Sequence, residues 1–165
     1  MPGICNCKEG NRGGALLEEI VLKCHKVAGG KASGKALVTA HPVSFWGGID
    51  PKTGSIIDKK SDAYRKSISG KIFVFPFSRG SSTSSAVFLE IARLKKAPLA
   101  MVNIETEPLL AVGAILSEKL YGMRIPIVDH VERNPCEVIR NHDFLEVDAD
   151  NSAITVIRKE LKGVQ

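Results

Sequence analysis

Apolar positions recur along this chain with two different periods. Residues 71–77 (Lys-Ile-Phe-Val-Phe-Pro-Phe) form a continuous apolar run that stops at a proline, the pattern of a strand buried on both faces, and 99–104 and 125–128 repeat it. Between these runs the period changes to that of a helix. From about Ser82 to Leu94, the residues Val87, Phe88, Ile91 and Leu94 fall on one face, and Lys95 and Lys96 suit the carboxyl end of such a helix. A second helix is predicted over 108–120, with Pro108 in its first turn, Leu109, Val112, Leu116 and Leu120 facing inward, and Gly122 ending it. Ahead of this βαβαβ segment, 22–28 and 35–40 flank Gly29-Gly30-Lys31-Ala32-Ser33-Gly34 and read as a strand pair with a glycine loop, closed by His41-Pro42. Behind it, 144–147 and 154–157 flank Asp150-Asn151 as a closing hairpin. The order predicts an α/β fold, a compact β/β/α domain with helices outside a mixed sheet.

The junction after the first buried run carries the chemistry. Ser78-Arg79-Gly80-Ser81-Ser82-Thr83-Ser84-Ser85 joins strand to helix through a glycine turn with one arginine and a cluster of hydroxyls. Free backbone N–H groups and the positive end of the helix dipole converge there with the Arg79 guanidinium, which favours an anion above Gly80. The same field favours an ionised serine, so the segment suits either anion binding or a serine acting as base. Plain N-capping is the third reading, although capping needs only one hydroxyl. Upstream, Trp46-Gly47-Gly48 precedes the strong turn Asp50-Pro51-Lys52-Thr53-Gly54. Paired glycines let backbone approach a ligand closely, but the local pattern by itself favours a core tryptophan above a tight loop.

Composition narrows the picture. At 165 residues, 44% hydrophobic and 25% charged, the chain can bury one core, so a single domain over 21–165 is expected behind a flexible tail at 1–20. No run approaches the about 20 apolar residues of a membrane span and no signal-peptide core is present, so the expected location is the cytoplasm. The net charge of +5 comes from scattered lysines with few aromatics between them, which speaks against nucleic acid and leaves an acidic ligand or partner open. Cys5, Cys7, Cys24 and Cys136 form no paired framework, and His25, His41, His130 and His142 sit in separate contexts, so no metal ligand is assigned in this chain.

Three motifs together carry a resemblance. Ser44-Phe45-Trp46-Gly47-Gly48-Ile49-Asp50-Pro51-Lys52-Thr53-Gly54, Ser78-Arg79-Gly80-Ser81-Ser82 and Ala111-Val112-Gly113-Ala114, in that order, resemble the small subunit of aconitase X, the swivelling domain of the aconitase superfamily, over about 22–156. The family includes the phosphomevalonate dehydratase small subunit and the matching part of cis-3-hydroxy-L-proline dehydratase. The resemblance implies a swivelling β/β/α domain with a mixed-sheet or barrel-like core, acting as one part of a two-part hydro-lyase and inactive alone. Its implied partner in a heterodimer is a large subunit holding an iron or iron–sulfur centre, with no cofactor in this chain. By analogy Ser81 takes the carbon-bound proton, with Arg79 as its electrostatic partner, while Gly80 and Ser82 hold a substrate carboxylate or phosphate and Trp46, Gly47 and Gly48 lie beside the cleft. Where the archaeal pattern has a Gly-Lys-Gly-Ser-like turn this chain has Ser78-Arg79-Gly80-Ser81, and with Leu120-Tyr121-Gly122 that looks closer to the hydroxyproline enzymes. The implied substrate is therefore a small hydroxy acid, cis-3-hydroxy-L-proline, with mevalonate 5-phosphate as the alternative.

Two other classes are weighed against this. A phosphohistidine carrier, as in swivelling domains of phosphoenolpyruvate-using enzymes, needs a histidine at the turn before a helix, where this chain has Ser81. A noncatalytic anion-binding regulatory module would need Arg79 and the N–H groups but not Ser81.

Overall fold

The computed structural model describes residues 16–80 and 82–160. Ten strands and four helical segments follow one another: β1 (Leu16–Lys23), β2 (His25–Ala28), β3 (Lys31–Val38), β4 (Val43–Ser44), a short irregular turn α1 (Phe45–Gly48), β5 (Ile72–Phe75), β6 (Ser78–Arg79), α2 (Thr83–Arg93), β7 (Ala100–Asn103), α3 (Pro108–Tyr121), β8 (Ile127–Asp129), α4 (Pro135–Val138), β9 (Phe144–Asp148) and β10 (Ala153–Glu160). The expected tail falls largely outside the described residues, as do Cys5 and Cys7. Among the described residues no helix is long and apolar enough to cross a membrane.

Eight strands form one mixed sheet in the order β1-β10-β9-β3-β5-β7-β8-β2. Its centre is parallel, β3 to β5 to β7 to β8, and β2 closes that side antiparallel to β8. On the other side β9, β10 and β1 run antiparallel. Strand β3 belongs to both halves, since residues 31–35 pair with β9 and 36–38 pair with β5. The strand pair expected around the glycine loop does not form. Residues on either side of Gly29-Gly30 find distant partners instead, β2 on β8 and β3 on β9 and β5, because those strands bury apolar faces that a two-stranded ribbon would leave wet.

Alternation along the buried strands divides the core in two. Phe73, Phe75 and Met101 point toward α2 and α3, where they meet Phe45, Phe88, Ile91 and Leu110. Ile72, Val74, Ala100 and Val102 point the opposite way and pack with Leu145, Val147, Ile154 and Val156 of the antiparallel half. The layers are thus antiparallel sheet, parallel sheet and helices, the β/β/α arrangement read from the sequence.

Helix α2 buries Phe88 and Ile91 as its periodicity predicts. Helix α3 does not follow the predicted face. Leu110, Gly113, Ala114 and Ser117 are inward, while Val112, Leu116 and Leu120 are exposed at 44%, 37% and 62%. The cause is Gly113, where an added Cβ would lie 3.2 Å from Phe88 Cδ1: small residues let α3 approach α2 closely, which turns the larger ones outward. Gly122 ends α3 in the left-handed conformation, its N–H donating to the Glu118 carbonyl.

Candidate functional site

Parallel strands deliver their carboxyl ends to one edge, and in open α/β sheets that edge is where ligands bind. Strand β5 is followed by Pro76, whose carbonyl accepts from the N–H groups of Ile104 and Glu105 beyond β7 at 2.9 and 3.2 Å. The Ile104 carbonyl in turn accepts from His130 N–H beyond β8 at 3.0 Å. Three strand ends are therefore laced together by backbone bonds, and the loops that follow them share a rim.

Beyond Pro76 the chain forms β6, which pairs in parallel with β4, Val43 opposite Ser78 and Ser44 opposite Arg79. This pairing places the Trp46-Gly47-Gly48 turn next to Arg79 and Gly80. Phe45 anchors the turn: fully buried, it meets Phe75 and Phe88 edge-on with ring centroids 6.1 and 5.6 Å apart, contacts worth about 0.5–1.5 kcal/mol each beyond area burial. Trp46 itself is 66% exposed, so the core-tryptophan reading is wrong, because the neighbouring Phe45 takes the buried position. Gly48 is buried against Ser44.

The turn into α2 requires glycine. Gly80 has φ 151°, and a Cβ there would sit 2.0 Å from Ser84 Oγ. Ser82 occupies the N-cap position with helical dihedrals and makes no side-chain capping bond, so it does not do the work that the capping reading gives it. Ser84 is buried at 1% exposure and Ser78 at 8%, and the hydroxyl of each has no hydrogen-bond partner among the described residues. Ser85 donates to the Leu109 carbonyl at 2.6 Å and ties α2 to α3. Arg79 is exposed and forms no ion pair among the described residues. Ser81 lies outside the described residues. A glycine turn at the head of an eleven-residue helix, an uncommitted guanidinium and two orphaned buried hydroxyls make a place for an anion with further hydrogen-bonding oxygens.

Other groups on the rim escape the linear reading. Asn103, fully buried at the end of β7, donates to the Phe75 carbonyl at 3.2 Å and accepts from Thr106. Asp129, at the end of β8, draws His25 and His130 together, its Oδ1 lying 2.9 and 3.0 Å from their Nδ1 atoms. Burial pushes the Asp129 carboxyl up, but hydrogen bonds from His130, His25 and Thr106 outweigh it and hold the group below the usual carboxylate range. The two histidines are far apart in sequence, and only the β2–β8 pairing could reveal their meeting. Of the two described cysteines, burial, then Asp129 and Asp148, raise the Cys24 thiol to about 11, and burial with Asp62 and Glu137 does the same at Cys136.

Comparison with known proteins agrees with this architecture. Residues 21–156 match the family described as the aconitase X swivel domain. The phosphomevalonate dehydratase small subunit of Methanocella arvoryzae is 42% identical over 127 residues, 77% of this chain and 92% of that protein. That of Methanosarcina acetivorans is 40% identical over 139 residues, 84% of this chain and 92% of the relative. The crystal structure of Thermococcus kodakaraensis aconitase X in its holo-form superposes with a TM-score of 0.76 at 38% identity, covering 84% of this chain and 99% of the matched one.

Proposed function

This chain belongs to the aconitase X swivel-domain family, and we propose that it is the small subunit of a dehydratase acting on mevalonate 5-phosphate. The hydro-lyase class and the small-subunit role come with the family; the substrate is the added step. Support for it comes from the relatives named for phosphomevalonate and from the rim itself, where the Gly80 turn, the head of α2 and Arg79 suit a phosphate or carboxylate. These relatives support the phosphorylated substrate better than cis-3-hydroxy-L-proline, the substrate favoured on the Arg79 turn.

In this reading Ser81 is the proton acceptor. As an alkoxide it takes the proton from the carbon beside the substrate carboxylate and becomes a neutral hydroxyl, while hydroxide leaves the adjacent carbon to give anhydromevalonate phosphate. The field of the α2 N-terminus and Arg79 lowers the proton affinity that makes an alkoxide costly in water. Gly80 and Ser82 hold an anionic group of the substrate, with the hydroxyls of Ser78 and Ser84 as further donors, and Trp46, Gly47 and Gly48 cover it from the β4 side. In this reading no step of the dehydration is assigned to a metal on this chain. We place the iron or iron–sulfur centre on the large subunit, where it would supply Lewis-acid help to the departing hydroxide. Residues 21–165 act as one swivelling unit in the cytoplasm, and the outer face of α3, with Val112, Ile115, Leu116, Leu120 and Tyr121 exposed, is the surface we give to that large subunit.

The observation that carries the proposal is the pair of unpartnered hydroxyls, Ser78 and Ser84, beside the Gly80 turn. Its test is dehydration of mevalonate 5-phosphate and of cis-3-hydroxy-L-proline by this chain co-purified with its large subunit, with and without Ser81→Ala. Turnover of the phosphorylated substrate, lowered roughly 10²–10⁴-fold by the substitution with the complex intact, is the expected result. Turnover of hydroxyproline alone overturns the substrate. Full turnover in Ser81→Ala overturns the base, and phosphate binding without turnover points to a noncatalytic anion-binding module. Leu120→Glu should abolish co-purification while leaving the melting temperature of the chain unchanged; retention of the complex removes α3 from the interface, and loss of self-association instead assigns the face to a second copy.

A further inference from the structure

At the far end of the same rim, two strands from Gly80 and outside the site just described, β2 and β8 meet with His25 opposite Asp129. His25 Nδ1 and His130 Nδ1 both address one oxygen of Asp129, at 2.9 and 3.0 Å, and the donor atoms of all three residues lie within 4.8 Å of one another. We propose that His25, Asp129 and His130 form a binding site for one divalent transition-metal cation.

The ligand set and its support both favour this. Two imidazoles and one carboxylate suit zinc or ferrous iron rather than calcium or magnesium, which prefer all-oxygen shells. Metal–ligand bonds of about 2.1 Å place tetrahedral donors roughly 3.4 Å apart, so the two carboxylate–imidazole separations of 2.9 and 3.0 Å need to open by only about 0.4 Å to admit an ion. The anchoring ligand is already fixed. Asp129 has a side-chain exposure of 6%, and its second oxygen accepts from the Thr106 N–H at 3.0 Å, the kind of outer bond that orients a ligating carboxylate. His130 is held as well, its N–H donating to the Ile104 carbonyl at 3.0 Å and its φ at 44°, a left-handed conformation that a non-glycine residue keeps only where its surroundings impose it. Both rings are open to solvent, with side-chain exposures of 69% and 65%, which leaves the remaining coordination positions to water or to a ligand. Cys24 packs against the core, and its sulfur is not among the donor atoms gathered within 4.8 Å.

Zinc titration of the full chain, monitored by calorimetry at pH 8, decides the matter. The chain should carry Cys5→Ser and Cys7→Ser and no histidine tag, so that no other strong donors compete. One equivalent should bind with micromolar or tighter affinity, weakened at least tenfold by His25→Ala or by His130→Ala and lost in the double variant. Absence of binding, or unchanged affinity in the double variant, overturns the site. Histidine-ring NMR of the unsubstituted rings supplies a readout that does not depend on the variants folding. Zinc should shift His25 and His130 and leave His41 and His142 in place, and any other pattern overturns the assignment.

Discussion

The antiparallel half of the sheet and the turn into α2, at the edge of the parallel half, treat their polar groups in opposite ways. In the antiparallel half the largest buried charge is matched: Arg158, 11% exposed, donates to both oxygens of Asp143 at 2.9 and 2.6 Å, to Glu18 at 3.1 Å and to the Val138 carbonyl at 2.9 Å. Lys31 pairs with Asp148 at 2.9 Å, and Asp148 also accepts from Asn151. At the turn into α2, by contrast, Ser78 and Ser84 are buried without partners among the described residues and Arg79 faces solvent. A buried polar group left unpaired costs about 1–3 kcal/mol, so the Arg158 cluster contributes to the fold while the hydroxyls of the turn cost it stability, as expected of groups that await a partner.

Three substitutions bear on that contrast, in descending size. Arg158→Met should destabilise the chain by about 3 kcal/mol, roughly 10 °C in melting temperature, because Asp143 would remain buried without its cation. Thermal denaturation followed by circular dichroism measures this, and a loss of under 1 kcal/mol would erase the distinction between the two regions. Ser84→Ala should act in the opposite sense, raising stability by about 1 kcal/mol through removal of an unsatisfied hydroxyl, while weakening substrate binding by the complex. A destabilised Ser84→Ala chain would mean that the hydroxyl is satisfied within the fold. The smallest effect belongs to Asp148→Asn. Hydrogen bonds from Lys31, then Asn151, hold the Asp148 carboxyl at about 2, below its unfolded value, so its stabilisation is complete above about pH 4 and disappears as the pH falls toward 2. The stability gap between wild type and Asp148→Asn, measured by urea unfolding at pH 6 and at pH 2.5, should narrow at the lower pH.

Patterning along the chain reveals most of the elements and misjudges some of their partners. The runs at 72–75 and 100–103 and the face of Phe88 and Ile91 on α2 are legible because each has a single strong period. Helix α3 is apolar all round, so periodicity cannot choose its inner face, and the decisive contact of Gly113 with Phe88 is made across two helices. The strand pair around Gly29-Gly30 fails for a related reason, since neighbours in sequence lose to distant strands with more apolar surface to bury. At the site, Arg79 and Gly80 stand out from their strand–turn–helix context, and Trp46 gains its place from a two-residue pairing that no local pattern announces. Ser78 and Ser84 look like ordinary strand and helix serines until burial shows them unpaired, and His25 reaches Asp129 only through strand order.

Phe88 sits at a junction of three pieces, touching the ring of Phe45 on one side and Gly113 on the other, while Ser85 is bonded to the Leu109 carbonyl. The Trp46 turn, the head of α2 and the whole of α3 therefore share one wedge and have few separate degrees of freedom. Loosening that wedge, as in Phe88→Ala, would therefore free the Trp46 turn, the Gly80 turn and α3 together, where a substitution at any one of them would disturb only its own neighbours.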